Sequence, residues 1–278
     1  MNSGIQALFA RRAGENRPGE IGKLFSQSIW VALLFAIAGI LIIYATGEIF
    51  LSSVLHMPNV KIQAVSFMKI RIWGLPFLYL FLVGNALLVG TNNSKYLKFG
   101  FFLLAGSNIL LDYLLIYGHW GFPKMGFNGA AFASVIAEFI GLSVLLFIIF
   151  YKKFQTRFSL FKYLAFDKKI ARLIFIQTLP LIAQFLLSVG SWLFFYILIE
   201  NRGERPLAIS NTMRNIYGLF GIFSWSFAST SNAMVSNIIG QDQKNMVIPL
   251  IKKIMALSVL FTLFLCVLIN ISPSAFLY

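Results

Sequence analysis

Cysteine and histidine are nearly absent from the chain. The single cysteine, Cys266, lies inside an apolar run, so the chain cannot build a disulfide framework or a thiolate metal site by itself. The two histidines, His56 and His119, are far apart in the sequence and have no clustered acid beside them, which makes them poor metal ligands. We therefore expect no metal centre, no cofactor and no enzyme that depends on a histidine pair.

Charge is also scarce, and most of it has one sign. Charged residues make up 12% of the chain, whereas soluble domains contain about 25%. Only 9 residues are acidic and 23 are basic, while 59% are apolar and the mean hydropathy is +0.81. This composition predicts an integral membrane protein, and the apolar stretches described next predict that it is all-α and polytopic.

Seven apolar stretches are long enough to cross the hydrocarbon core of a bilayer, which takes about 20 helical residues. They are too long, and alternate too poorly, to be strands of a membrane barrel. The predicted spans are residues 25–47, 69–91, 99–117, 127–151, 170–199, 206–238 and 247–271.

The basic residues lie in the short segments between these spans, where they orient the helices in the membrane. With the first loop on the cytoplasmic side, sixteen basic residues fall inside and seven, including Arg71, fall outside. This bias places residues 152–172 in the cytoplasm. No basic face interleaved with exposed aromatic residues remains for nucleic acid. We expect a monomeric, multi-pass protein of the cytoplasmic membrane that contacts membrane lipid and binds no nucleic acid.

Asp112 lies in the middle of an apolar run, between Leu111 and Tyr113. A charge at the centre of a membrane helix costs roughly 2.5 to 3.5 kcal/mol on insertion, so such residues usually face a cavity or a partner and serve transport. Asn108 precedes Asp112 by one helical turn and shares its face. An amide oxygen beside a carboxylate suits a proton or a hard cation such as Na⁺. The alternative is a structural hydrogen bond between helices.

The next span carries a hydroxyl and a second acid on one face. Ser134 and Glu138 are four residues apart, and small residues from Gly129 to Ala133 allow a neighbouring helix to approach closely. Glu138 is a possible member of a proton relay. Alternatively, it reaches the membrane surface or pairs with a basic residue on the inner side.

A weak internal repeat relates the two ends of the chain. Sliding residues 3–52 onto 229–278 gives nine identities and aligns Gly14 with Gly240, in each case at a helix end before a polar loop and an apolar helix. Parallel repeats of six helices are a known transporter plan, with the substrate site between the halves, and on this register about 57 residues would precede Met1 and about 99 would follow Tyr278. We therefore expect a fragment that runs from the end of helix 2 to helix 9.

The repeat predicts three parts. They are an amino-terminal lobe (residues 1–151), a basic cytoplasmic linker (152–169) and a carboxy-terminal lobe (170–278). In the linker, bases alternate with Phe158, Phe161, Tyr163 and Phe166, which suggests an amphipathic segment at the inner membrane surface. A plain basic linker is the simpler interpretation, and a specific lipid or protein partner is the alternative.

The segments Asn108-x-x-x-Asp112-Tyr113-Leu114-Leu115-Ile116-Tyr117-Gly118 and Met125-Gly126-Phe127-Asn128-Gly129-Ala130-Ala131 resemble helices 5 and 6 of the multidrug and toxic compound extrusion (MATE) family. Ala10-Arg11-Arg12-Ala13-Gly14-Glu15 resembles its loop between helices 2 and 3. Leu179-Pro180-Leu181 and Val235-Ser236-Asn237-Ile238-Ile239-Gly240-Gln241 resemble parts of its helices 7 and 8.

The resemblance implies two six-helix lobes around a cleft and export of small organic, often cationic, compounds driven by H⁺ or Na⁺. It also implies that the coupling ion binds to Asn108, Asp112 and Ser134, where Ser134 stands at the position of a threonine in many members. In the carboxy-terminal lobe, the polar residues Gln177, Gln184 and Asn211 are a possible substrate cleft.

Other functions fit the residues less well. Arg214 would sit awkwardly in a cleft for cations, so anionic or zwitterionic substrates remain open, and a lipid-linked oligosaccharide flippase of the same superfamily is the alternative function. A channel would need a pore lined by a polar ring, for which one Asn and Asp pair is poor material.

Overall fold

The structure, a computed structural model, describes residues 2–54, 57–163, 165–200 and 202–271. Within these ranges the chain forms helices, 3₁₀ turns and short loops, and no strand. The α-helices are α1 (Asn2–Gly14), α2 (Pro18–Val54), α3 (Pro58–Arg71), α4 (Leu75–Gly90), α5 (Leu97–Tyr117), α6 (Phe127–Tyr151), α7 (Phe154–Arg157), α8 (Lys168–Glu200), α9 (Glu204–Gly240) and α10 (Val247–Ile271).

Helical structure covers each of the seven predicted spans, one of which is divided by a 3₁₀ turn. Six segments of the described chain are long and apolar enough to cross a membrane; α9, which carries Arg214 and many amides and hydroxyls, is not among them. The protein is thus an all-α polytopic membrane protein.

The second and third helices extend further than predicted on the side where α2 ends and α3 begins, and there Glu48 of α2 pairs with Lys69 of α3 at 3.1 Å. Hydropathy detects only the part of a helix that lies in lipid.

One predicted span, residues 69–91, consists of two helices joined by a 3₁₀ turn. α3 leads through Ile72–Gly74 into α4. Pro76 is the second residue of α4, and a proline has no N–H to donate to the carbonyl four residues earlier, which here belongs to Ile72. The 3₁₀ turn accommodates the missing hydrogen bond.

The chain divides into two compact units. One contains Ser3–Asn16 and the residues from Phe175 onward, and the other contains Arg17–Ile174. The unit boundary lies inside α8, just after the predicted linker. The sequence assigned α1 to the amino-terminal lobe, but the structure groups α1 with the later helices because it packs along α9.

The linker packs against its own unit. Phe154, Phe158 and Leu160 are buried, and the Phe161 ring meets Phe25 of α2 edge to face, with 5.4 Å between centroids. Phe158 therefore turns into the protein, whereas an amphipathic segment at the membrane surface, one of the interpretations of the linker, would have it face lipid. For Phe161, the Phe25 ring supplies the apolar contact that lipid would otherwise provide.

In the other unit, α1 and α9 cross at two glycines. A Cβ atom on Gly14 would overlap the carbonyl of Asn237, and one on Gly240 would overlap the carbonyl of Arg11. The two backbones thus approach as closely as glycine permits, the packing that small residues allow between membrane helices. The amide of Asn237 adds a hydrogen bond to the carbonyl of Ala10, at 3.0 Å.

These contacts are reciprocal in the register of the internal repeat, in which each residue of the first copy matches the residue 226 positions later. The side-chain amide of Gln6 donates to the carbonyl of Ser229 at 2.7 Å. The equivalent amide of Asn232 donates to the carbonyl of Ser3 at 2.8 Å. Each helix then ends in a turn with an equivalent residue in the left-handed region, Asn16 at φ 54° and Asp242 at φ 59°. The two helices therefore meet across a local pseudo-two-fold axis.

We expect Gly240→Ala to lower the free energy of unfolding by about 1–3 kcal/mol, because the added methyl group meets backbone that cannot change rotamer. The matched control is Gly218→Ala in the same helix, where nothing lies within 4 Å of the added Cβ. That variant should be neutral or slightly more stable, since alanine favours helix over glycine. Denaturant unfolding in detergent measures both, and equal effects of the two substitutions would contradict the close crossing.

Candidate functional site

The candidate ion site depends on close packing of α5 against α6. A Cβ atom on Gly129 would overlap the backbone of Leu115, and one on Gly141 would overlap the side chain of Leu104. The two antiparallel helices are therefore in contact at both ends of the segment that carries Asn108. Gly118, at φ 75°, ends α5 in the left-handed conformation that glycine adopts most easily.

Between these contacts, two of the three predicted ligands meet. The amide nitrogen of Asn108 lies 3.4 Å from the hydroxyl oxygen of Ser134, within hydrogen-bonding distance. Asp112 follows one turn along α5. Its Oδ1 atom is buried and has no hydrogen-bond partner in the described part of the chain. The amide of Asn108 and the unpartnered carboxylate oxygen of Asp112 thus lie on one face of α5, and the amide meets the Ser134 hydroxyl of α6.

This donor set suits a proton or a hard cation. Buried polar atoms are almost always hydrogen-bonded, so an orphaned carboxylate oxygen needs an explanation, and a missing ion or proton is one of them. Oxygen donors are what Na⁺ and similar cations take. Among the described residues, no group of three or more histidine, cysteine or acidic side chains lies together as a metal site would require.

Glu138 has a partner that the sequence did not indicate. Its carboxylate receives two hydrogen bonds from the guanidinium of Arg71, at 3.0 Å and 2.5 Å. Only 8% of the Glu138 side chain is exposed. The sequence had offered a basic residue on the inner side as the partner and had placed Arg71 in the outer set. The pair packs so tightly against Gly74 that a Cβ there would overlap both charged groups.

The proposed cleft residues of the second unit do not converge in the structure. Gln177 and Gln184 of α8 and Asn211 of α9 are all exposed, and no hydrogen bond joins them in the described chain. Two serines of α8, Ser188 and Ser191, instead line a cavity of about 410 Å³ together with Trp192 and Phe195.

Trp192 is the centre of an aromatic cluster, which we define as Trp192, Phe195, Tyr196 and Tyr217. The Trp192 ring stacks on Tyr196 with centroids 6.1 Å apart and lies 6.5 Å from Tyr217 of α9. The guanidinium of Arg214 lies over the Tyr196 ring at 5.0 Å. The sequence signal for this cluster was the spacing of Trp192 and Tyr196, four residues apart on one helix.

Comparison with known proteins finds a matching family profile and relatives that share one description. The MatE family profile matches residues 1–114. A probable multidrug resistance protein NorM of Synechocystis is 30% identical over 164 residues, covering 57% of this chain and 34% of that protein. A protein of the same description from Thermotoga maritima is 28% identical over 218 residues, covering 77% of this chain and 46% of that protein.

A solved structure shares the fold. A crystal structure of MATE in a straight conformation has a TM-score of 0.84 and 18% identity, and the match covers 100% of this chain and 62% of that one. The chain thus spans 34% and 46% of the two curated relatives.

Proposed function

The chain belongs to the MATE family of membrane transporters, and from that premise we propose that its complete gene product is a secondary-active antiporter of the cytoplasmic membrane. It exports small organic compounds, mainly cations, in exchange for H⁺ or Na⁺. The names of the relatives from Synechocystis and Thermotoga maritima, probable multidrug resistance proteins, support export of this kind.

The observation that carries the proposal is the polar spot between α5 and α6. The buried Oδ1 of Asp112 lacks a partner in the described chain, and Asn108 and Ser134 meet one turn away. A carboxylate held in this way can take up an ion from one side of the membrane and release it to the other. An ionisable residue inside a membrane helix is by default a candidate for such a role.

The direct test is accumulation of fluorescent organic cations in efflux-deficient cells that express the complete gene product. Accumulation should fall, and collapse of the proton or sodium gradient should restore it. Unchanged accumulation over a broad panel, with the protein demonstrably in the membrane, would contradict the drug-export proposal and favour the flippase.

Arg214 already lies over the Tyr196 ring, so within the aromatic cluster it is Trp192, 42% exposed, that supports cationic substrates. An organic cation is attracted to the face of a tryptophan ring by about 0.5–2 kcal/mol. We expect Trp192→Ala to raise the half-saturating concentration of a cationic dye by roughly tenfold. The matched control is Phe194→Ala, which removes an exposed ring of the same helix. If both variants export the dye equally well, the cluster does not contact substrate.

A further inference from the structure

A second site lies between the start of α2 and the linker, in the unit formed by Arg17–Ile174. A cavity of about 730 Å³ opens there. Four lysines line it: Lys23 from α2, Lys162 from the linker, and Lys168 and Lys169 from the start of α8. All four belong to the set that the charge bias places on the cytoplasmic side. We call this cavity the lysine pocket.

The positive charge of the lysine pocket is not neutralised by the protein. In the described ranges, no carboxylate forms an ion pair with any of the four lysines. The one acidic residue of the lining, Asp167, already accepts hydrogen bonds from the backbone N–H groups of Lys169 and Ile170, at 2.8 Å and 3.3 Å. It therefore caps α8. The pocket keeps an excess of positive charge that an anion can satisfy.

Contacts between α2 and the linker hold the two sides of the pocket together. The amide of Gln27, only 1% exposed, donates to the carbonyl of Ala165 at 2.7 Å and accepts from the N–H of Asp167 at 3.0 Å. Gly22 adds a second contact, because a Cβ there would overlap the linker carbonyls of Phe158 and Ser159. The linker is thus held against α2 at two points, Gln27 and Gly22, which we call the clasp. A plain basic tether would need neither contact.

Two of the lysines converge on one ring. The ammonium groups of Lys23 and Lys162 lie 5.1 Å and 6.0 Å from the centre of the Tyr163 ring, one from α2 and one from the linker. Two cationic groups from different elements thus border the same lining residue, Tyr163. Such an arrangement suits the oxygens of a phosphate group.

We propose that the lysine pocket binds the phosphate of an anionic phospholipid of the inner leaflet. Basic pockets beside membrane helices on the cytoplasmic side hold acidic headgroups in this way. The cavity is much larger than a free phosphate ion. Its lining includes Phe166, which is 58% exposed, and Ile170, so apolar surface for an acyl chain adjoins the charged part.

The test is native mass spectrometry of the full chain, purified in detergent and equilibrated with equal amounts of phosphatidylglycerol and phosphatidylcholine. The wild-type chain should retain phosphatidylglycerol preferentially. Each lysine near a membrane surface contributes roughly fivefold to binding of anionic lipid, so Lys162→Gln/Lys169→Gln should reduce retention roughly 25-fold. Lys252→Gln/Lys253→Gln, equally basic and exposed but outside the pocket, should leave it unchanged.

A charge-neutral variant separates a built pocket from diffuse attraction. Gln27→Met keeps the length of the side chain but removes both hydrogen bonds of the clasp, so it should also lower phosphatidylglycerol retention. Thermal unfolding verifies that each variant is folded. Equal retention of the two lipids by the wild-type chain, or equal loss in the Lys252 and Lys253 control, would overturn the proposal. Displacement of the lipid by millimolar inorganic phosphate would assign the pocket to a free anion instead. None of these readouts depends on transport.

Discussion

We expect Asp112→Asn to abolish ion-coupled export. Dye should then accumulate to the level of cells that lack the transporter. The amide cannot bind and release a proton, and it is a weaker cation ligand than a carboxylate. The substitution hardly changes the size of the side chain. Loss of transport without loss of folded protein would therefore reflect the missing charge, and not a packing defect.

The neighbouring ligands should give graded effects. Asn108→Ala removes the donor to Ser134 and is expected to lower transport roughly tenfold, the lower end of what loss of a supporting ligand costs. Ser134→Ala should act more mildly, because it removes only the hydroxyl.

Two controls are matched to these changes. Asp242→Asn makes the same acid-to-amide change at an exposed loop position, and Ser143→Ala removes an exposed hydroxyl from the same helix as Ser134. Both should transport normally. Purified variants in proteoliposomes, driven by an imposed proton or sodium gradient, provide the measurement. Wild-type rates in Asp112→Asn would remove Asp112 from the coupling site and leave it a structural role.

The candidate ion site was the part most open to prediction from sequence. Helical periodicity alone places Asn108 and Asp112 on one face, and the small residues after Gly126 predict close approach of the next helix. Ser134 then meets Asn108 because the packing fixes the level of one helix against the other. What the sequence could not give was the unpartnered state of the Asp112 oxygen, which depends on every neighbour at once.

Fold prediction succeeded within the bilayer and was less complete outside it. Long apolar runs give the spans because hydropathy measures what lipid requires. The parts of α2 and α3 that extend past the predicted spans, residues 48–54 and 58–68, were missed because the predicted apolar runs stop at residue 47 and resume at residue 69. The 226-residue repeat made Gly14 and Gly240 equivalent, but equivalence does not imply contact. Only the structure places each glycine against the backbone of the other helix.

Aromatic positions illustrate the same limit in the second unit. Trp192 and Tyr196 share a helix face by spacing, so their stacking could have been anticipated. Tyr217 joins them from α9, which no local pattern predicts. Gln177 and Gln184 were chosen for polarity alone, and polarity does not tell which side of a helix faces a cavity.

The partner of Glu138 was beyond sequence reasoning because Arg71 lies 67 residues away. Breaking a buried ion pair by removing one partner costs about 3–5 kcal/mol, since the other charge remains buried without compensation. We therefore expect Glu138→Gln and Arg71→Met each to lower the free energy of unfolding by about that amount. The double variant Arg71→Met/Glu138→Met should recover most of the loss, because no isolated charge remains.

Transport by that double variant decides between the two roles considered for Glu138. A carboxylate whose two oxygens both accept from one guanidinium already has a fixed partner and is therefore a poor carrier of protons. We accordingly expect the double variant to fold and to export dye at near wild-type rates. A stable double variant without transport would instead assign Glu138 to the proton relay. Glu48→Gln, the same change at the exposed pair with Lys69, is the control and should alter stability by about 1 kcal/mol or less.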